Sequence, residues 1–499
     1  MLYIKINLER SVAVGHIPKR ERACHCRREM MNYVKVILRD KSFLKKTMAI
    51  TIPIVLQNLL NNVLNLVDTV MIGKLGVTDI AAVGLANKVF FVFSLLMFGV
   101  CSGSGVLASQ YWGKREMMNI RRVLRMSLLI GVSCSFLFVI PGILCPELVM
   151  RIFTPQQGTI SQGAKYLVII ALSYPLTAVT NAYVAILRSM NYVKLPVIIT
   201  SIAICVNIFF NYMMIFGKFG FPAMGVSGAA LATLIARIVE VTALLVIVHL
   251  HKAGDNGVGD FIHYKKHKEI GSGEEKAHYF PKTFVLKYFY TAAPVIANEF
   301  MWGLGVTMYS LVYGRMGDDA TAAITITNTV EQVALVFFFG ICSAAAVILG
   351  NELGANQLKK AEEHAKVYIL LQLILTILGA IFLFFTKEFV VSWFDAPPAV
   401  ARLVRLSITV FVLYMPARML NALFIVAIFR SGGDTKYALF LDVTGVWLIG
   451  IPMAVLGGLI LKLPVYLVYG MILIEEFYKI ILGIRRYRKK KWLKNIVES

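Results

Sequence analysis

Apolar residues in this chain come in long unbroken blocks, not in the alternating or single-face patterns of soluble elements. Residues 196–216 (PVIITSIAICVNIFFNYMMIF) and 367–385 (VYILLQLILTILGAIFLFF) are nearly free of charge. A helix of about 20 such residues, rising ~1.5 Å per residue, crosses a hydrocarbon core of ~30 Å. The short alternating segments of a membrane β-barrel are absent from the sequence. Twelve blocks of the helical kind are present, at 44–73, 82–109, 123–145, 164–188, 195–216, 226–250, 284–313, 319–349, 363–386, 403–429, 437–459 and 464–484. They predict an all-α polytopic membrane protein of twelve transmembrane helices. An even number of spans places both termini on one side.

Composition agrees, since only 16% of residues are charged, against about 25% in soluble domains. The formal net charge of +23 would suit nucleic acid, but its placement argues for topology instead. Lys and Arg number 38 in the segments on the side of the termini. The six opposite loops hold only Lys74, Arg151, Lys218, Arg315, Lys387, Arg402 and Lys462. This asymmetry predicts cytoplasmic termini and an inner-membrane location, with lipid contact and no nucleic-acid partner. Most of the seven cysteines fall within spans, where a thiol acts as a small hydrophobe. Cys24-His25-Cys26 lacks a second ligand pair at zinc spacing, so no metal and no cofactor are expected. The N-terminus has no apolar stretch of signal-peptide length.

Residues 1–43 read as a basic, disordered extension, and Met30-Met31 offers an alternative start; deletion of 1–30 is expected to be harmless. Residues 251–283 are rich in Gly, Lys and His and read as a cytoplasmic linker, and 486–499 as a basic cytoplasmic tail. Between them lie two halves, 44–250 and 284–485. Sliding the chain by 241 residues puts Pro53 on Pro294, Gly73 on Gly314 and Gly76 on Gly317. Asn87 then meets Asn328, Cys101-Ser102 meets Cys342-Ser343, and Gly113 meets Gly354. Fourteen of 61 positions are identical, well above the ~6% expected by chance from typical composition. One residue further, Arg188-Ser189 meets Arg430-Ser431. Halves with an even number of spans are parallel repeats, related by a pseudo-two-fold axis along the membrane normal. Such repeats place the substrate path between two lobes near the midplane.

The segments NLVDTVMIGKLGVTDIAAVGLANKV (65–89), ASQYWGKRE (108–116), LRSMNYVKLP (187–196), VNIFFNYMMIFGKFGFPAMGVSGAALAT (206–233) and FRSGGDTK (429–436) resemble the multidrug and toxic compound extrusion (MATE) family. The likeness runs from about 44 to 485. It implies two six-helix lobes arranged as a V and secondary active export of organic cations in antiport against Na⁺ or H⁺. The expected partners are small, cationic amphiphilic substrates, and the chain is expected to act as a monomer.

Ionisable groups inside a span are expensive unless paired or hydrated, so each marks a candidate site. Asp68 lies late in the first span on an apolar face, where the repeat partner Tyr309 has no charge. A lone desolvated carboxylate can exchange a proton or hold Na⁺. The family resemblance implies a coupling acid in this D-x-x-x-x-G setting. Asn207 and Asn211 sit one turn apart on the fifth span and share a face. The resemblance joins that face to Asp68. One branch of the family has Asp at the second position, where this chain has Asn211, which can coordinate Na⁺ but cannot accept a proton. Thr233 on the sixth span either completes the cluster or bonds its own backbone. In the second half the candidates are Glu299, Glu331, Gln332 and Arg418. Glu299 matches the P-x(4)-E setting of the NorM-type branch, but that branch's acid on the tenth helix is missing from YMPARMLNAL (414–423). Arg418 either pairs with Glu299 or Glu331 or snorkels to an interface. Asp434 is expected to cap the eleventh span. The alternative function is a lipid-linked sugar or polysaccharide flippase of the same wider superfamily. The scarcity of midspan cations (Arg418, Lys88) beside available acids favours cationic substrates. A channel is disfavoured by the repeat and linker, and no catalytic set or phosphate loop suggests an enzyme.

Overall fold

A computed structural model describes residues 41–250, 280–394 and 396–498. The expectations for residues 1–40, including Cys24-His25-Cys26, and for the linker histidines lie outside the described residues.

The first half comprises α1 (Lys41–Gly73), α2 (Val77–Gly113), α3 (Met117–Leu144), the short α4 (Pro146–Arg151), α5 (Gln157–Ala171), α6 (Ser173–Ser189), α7 (Lys194–Phe216) and α8 (Gly225–Leu250). The second comprises α9 (Lys282–Arg315), α10 (Asp318–Gly354), α11 (Leu358–Ser392), α12 (Pro398–Phe429), α13 (Thr435–Ile460), α14 (Val465–Ile472) and α15 (Ile474–Arg488). α12 ends in a π-helical stretch, Leu423–Phe429, and α13 contains two more, Val446–Gly450 and Leu456–Ile460.

Ten of these helices are single pieces long and apolar enough to cross a bilayer, and α5 with α6, bent by 45°, makes an eleventh. The stretch expected as the twelfth span is broken at Leu473 between α14 and α15. It also carries Glu475, Glu476 and Lys479, which make it too polar for an average-hydropathy criterion. The repeat is visible in local geometry. Pro53 and Pro294 lie inside α1 and α9. Gly76 and Gly317 turn the chain between the first two helices of each half at φ 146° and 113°, a region that favours glycine.

The halves meet mainly through α2, which packs on α9 and α10, and through α1 against α10. The seam is tightest at the end that carries Lys41 and residues 489–498. There a side chain on Gly113 would overlap the Asn351 carbonyl, and one on Gly354 would overlap the Gln110 carbonyl. Further along α2, Gly103 faces Ala292, Gly99 faces Ile296 and Leu95 faces Gly303. Beyond them Gly84 and Gly314 face open space. Almost every residue of α10 from 340 to 354 is buried, whereas the first half of that helix is exposed at Thr325, Asn328, Thr329 and Gln332. The two halves thus form a V closed at the terminal side and open at the other.

Candidate functional site

Within the first lobe, α1, α2, α5, α6, α7 and α8 line a cavity of about 450 Å³. Asp68, Asn207 and Thr233 line it. The Asn211 amide donates to Asp68 Oδ1 at 2.6 Å and to Asn207 Oδ1 at 2.8 Å. Asn207 Nδ2 donates to Thr233 Oγ1 at 3.2 Å, and that hydroxyl donates to the Ala229 carbonyl at 3.0 Å. The i,i+4 spacing on α7 sets both amides against Asp68, so all four first-lobe candidates fall in one bonded chain. Asp68 is half-buried, whereas Asn207 and Asn211 are buried. Asn211 Oδ1 is buried without a partner. The cluster therefore presents a carboxylate, a free amide acceptor and hydroxyl oxygen beside a cavity, a donor set suited to a hard cation or a proton.

Sequence reasoning missed the rest of this wall. On α8, Arg237 Nη1 bonds Glu240 Oε2 at 2.7 Å, and Thr200 Oγ1 donates to Glu240 Oε1 at 3.0 Å. Gln57 Nε2 in turn donates to Thr200 at 2.9 Å, and Arg188 donates to Gln57 Oε1 at 2.5 Å. Glu240 is only 2% exposed. An i,i+3 Arg–Glu pair inside an otherwise apolar span was the available signal.

The second-lobe candidates separate. Glu299 is bound by Arg430 at 2.6 Å, and Arg430 reaches across the seam to Ser102 Oγ at 3.0 Å. Glu331 pairs with Arg418 and also accepts from the Tyr469 hydroxyl at 2.9 Å. Of the alternatives for Arg418, the structure contains the Glu331 pair. Gln332, next to Glu331 in sequence, is exposed and makes no side-chain hydrogen bond among the described residues. Asp434 occupies the N-cap position of α13 without a capping bond. Its carboxylate is instead clasped by Arg486 through two 2.7 Å bonds, which corrects the capping expectation. A second buried cluster, unforeseen from sequence, sets the Lys479 amine 2.9 Å from Asp442 and 3.3 Å from Glu475.

The family model described as MatE matches residues 53–213 and 294–456, one copy on each half of the chain. This protein belongs to the MATE family. A Bacillus subtilis relative, the uncharacterized transporter YisQ, is 23% identical, covering 91% of this chain and 96% of its own. The probable multidrug resistance protein NorM of Thermotoga maritima is 25% identical, covering 82% and 84%. Among solved structures, a MATE protein in complex with MaL6 superposes at TM-score 0.78 with 16% identity, covering 91% of this chain and 97% of that one. A multidrug-resistance MATE transporter in an outward-facing conformation superposes at 0.77 with 15% identity, over 91% and 97%. At such identities the superpositions establish the fold, two six-helix lobes. Membership makes the chain a multi-pass membrane transporter, not an enzyme.

Proposed function

We propose that this transporter is a secondary active multidrug exporter of the plasma (inner) membrane, with both termini cytoplasmic. It antiports cationic amphiphiles against Na⁺ or H⁺ by alternating access. The observation that carries the reading is the Asp68–Asn211–Asn207–Thr233 chain lining a cavity inside one lobe. One carboxylate, held among the described residues by an amide alone, keeps a negative charge that a coupling ion neutralises. The V-shaped opening between lobes supplies the substrate path, and the 38-to-7 distribution of Lys and Arg supports its orientation, with the open end facing outward. NorM relatives named as probable multidrug resistance proteins support the substrate class. The test is uptake of a fluorescent cationic drug into proteoliposomes, with Na⁺ and pH gradients imposed separately. Drug accumulation under one gradient, and none without a gradient, is expected. Transport of a lipid-linked sugar with no cation movement would sink the proposal in favour of a flippase.

A further inference from the structure

The two lobes place polar side chains at matching positions, with a different residue at each. A slide of 242 residues puts Thr200 on Asp442, Thr233 on Glu475 and Arg237 on Lys479, and one of 241 puts Gln57 on Asn298 and Asp68 on Tyr309. The bonds correspond as well. Gln57 donates to Thr200 at 2.9 Å in the first lobe, and Asn298 donates to Asp442 at 3.1 Å in the second.

The matched cations, Arg237 and Lys479, are held differently. In the first lobe, Arg237 is held by Glu240 with 29% of its side chain exposed, and it lines the same cavity as Asp68, whose one side-chain hydrogen bond among the described residues is the Asn211 amide. In the second lobe the Lys479 side chain is 4% exposed and its amine lies between Asp442 and Glu475. The Tyr309 hydroxyl, at the position matching Asp68, donates to the other oxygen of Glu475 at 2.9 Å. Glu476 is held separately by Asn421 at 2.7 Å, and Arg418 nearby is taken by Glu331. Space for this arrangement is cut into α13. A side chain on Gly445 would overlap the Lys479 stem, and one on Gly450 would overlap the Tyr309 hydroxyl and crowd Glu475. The first-lobe positions matching these glycines are Ala203 and Ile208, and Ala203 lines the cavity. Between the two glycines α13 winds as a π-helix, Val446–Gly450, a distortion that recurs where a helix is shaped around a site.

We propose that Lys479 is a tethered cation that fills the second lobe's counterpart of the first-lobe ion site. That lobe permanently holds its own cation, and only the first lobe exchanges an ion. A buried ammonium between two carboxylates holds its place because removing it strands uncompensated charge. The consequence for transport, one coupling cation per cycle, rests on the coupling reading given above; the tethered amine does not.

The test uses the full chain in detergent and reads thermal stability. Lys479→Ala is expected to melt well below the parent and to recover at least half of the loss in millimolar ethylammonium. N-methylglucamine at equal ionic strength, too bulky for the vacated space, gives no recovery, and the parent responds to neither. Arg237→Ala, whose site is already open to water, shows no amine-specific recovery. Equal recovery with both amines, or none, overturns the proposal. Should Lys479→Ala fail to accumulate, the neutralised variant Lys479→Met/Asp442→Asn/Glu475→Gln decides. It is expected at the parental level, because amine and acids leave together, and its absence would mean that Lys479 serves packing alone. Ion-to-drug stoichiometry is measured on the parent: one ion is expected. Two ions together with amine recovery would leave the tether standing and overturn the one-ion clause.

Discussion

Asp68 and Asn211 form the shortest bond of the first-lobe cluster, 2.6 Å between amide and carboxylate. Because the amide is the only side chain hydrogen-bonded to Asp68 among the described residues, the proposed coupling depends on whether position 68 bears a charge. Asp68→Asn is therefore expected to abolish drug accumulation against a gradient, with drug binding by equilibrium dialysis nearly unchanged. Active efflux by that variant would move the coupling site elsewhere, first to Glu240. Asn211→Asp sets two carboxylates within hydrogen-bond reach in one cavity. They cannot both stay ionised there, so the pair titrates as a unit and retains one proton near neutrality. Efflux measured against pH is expected to persist to higher pH in Asn211→Asp than in the parent and to depend more on ΔpH than on Na⁺. Superimposable profiles would show that the 68–211 contact does not set ion use. Arg237 and Glu240 share the same wall, so each profile is to be repeated in Arg237→Gln, which keeps the donor and removes the fixed charge.

At the scale of elements, block hydropathy revealed most helices because a bilayer demands about 20 apolar residues in a row. The last span, read at 464–484 in the same way, is helical but broken at Leu473. Lys479 pairs with Glu475 and Asp442, and Asn421 bonds Glu476, so the polarity of this span is met by packing partners that its own sequence does not show. The asparagine face of α7 was legible from its i,i+4 spacing, and the family resemblance tied it to Asp68. The pairing of Glu299 with Arg430 was not, because 131 residues separate them and sequence alone offered Arg418 as an equal claimant. The first π-helical turn of α13 left only the two glycines at its ends, Gly445 and Gly450, as a trace. Those glycines give an element-level expectation. Gly450→Leu forces a side chain onto Tyr309 and Glu475, an overpacking that costs typically ~1–3 kcal/mol. Thermal denaturation of Gly450→Leu should fall clearly below that of Ile208→Leu, its mate in the first lobe. Equal melting would mean that α13 relaxes around the insertion and that the cut-out has no packing role.

Across the whole molecule, the segment after α15 does what a solvated basic tail would not. Trp492 is 1% exposed and stacks on Tyr487, ring centroids 5.7 Å apart, inside the second lobe. Four residues on, Ile496 and Val497 pack with Leu107, Ala108 and Tyr111 of the first lobe. Gln110 of α2 fastens the crossing: its amide donates to the Ser431 and Lys494 carbonyls at 2.6 and 3.2 Å, and its oxygen accepts from the Ile496 backbone at 2.9 Å. Asn495 adds a bond to the Gly354 carbonyl, at the point where α2 and α10 touch backbone to backbone. The segment is a strap across the closed end of the V. Alternating access requires this end to part, so the strap opposes one of the two states by whatever its contacts contribute. Emptying the Trp492 pocket alone is expected to cost about 3–5 kcal/mol, by comparison with other buried aromatic deletions. Truncation after Lys490 should therefore shift the equilibrium toward opening at the terminal side. A single cysteine at Ser109, buried at the seam, reports that opening in a background with the seven native cysteines replaced. Its maleimide reaction is expected to be at least several-fold faster in the truncated chain than in the full-length one, and Trp492→Ala should fall between them. The truncated chain must remain monodisperse, since general unfolding would also expose residue 109. Identical labelling rates in well-folded samples would mean that the α2–α10 contact alone holds the seam and that the strap rides on it passively.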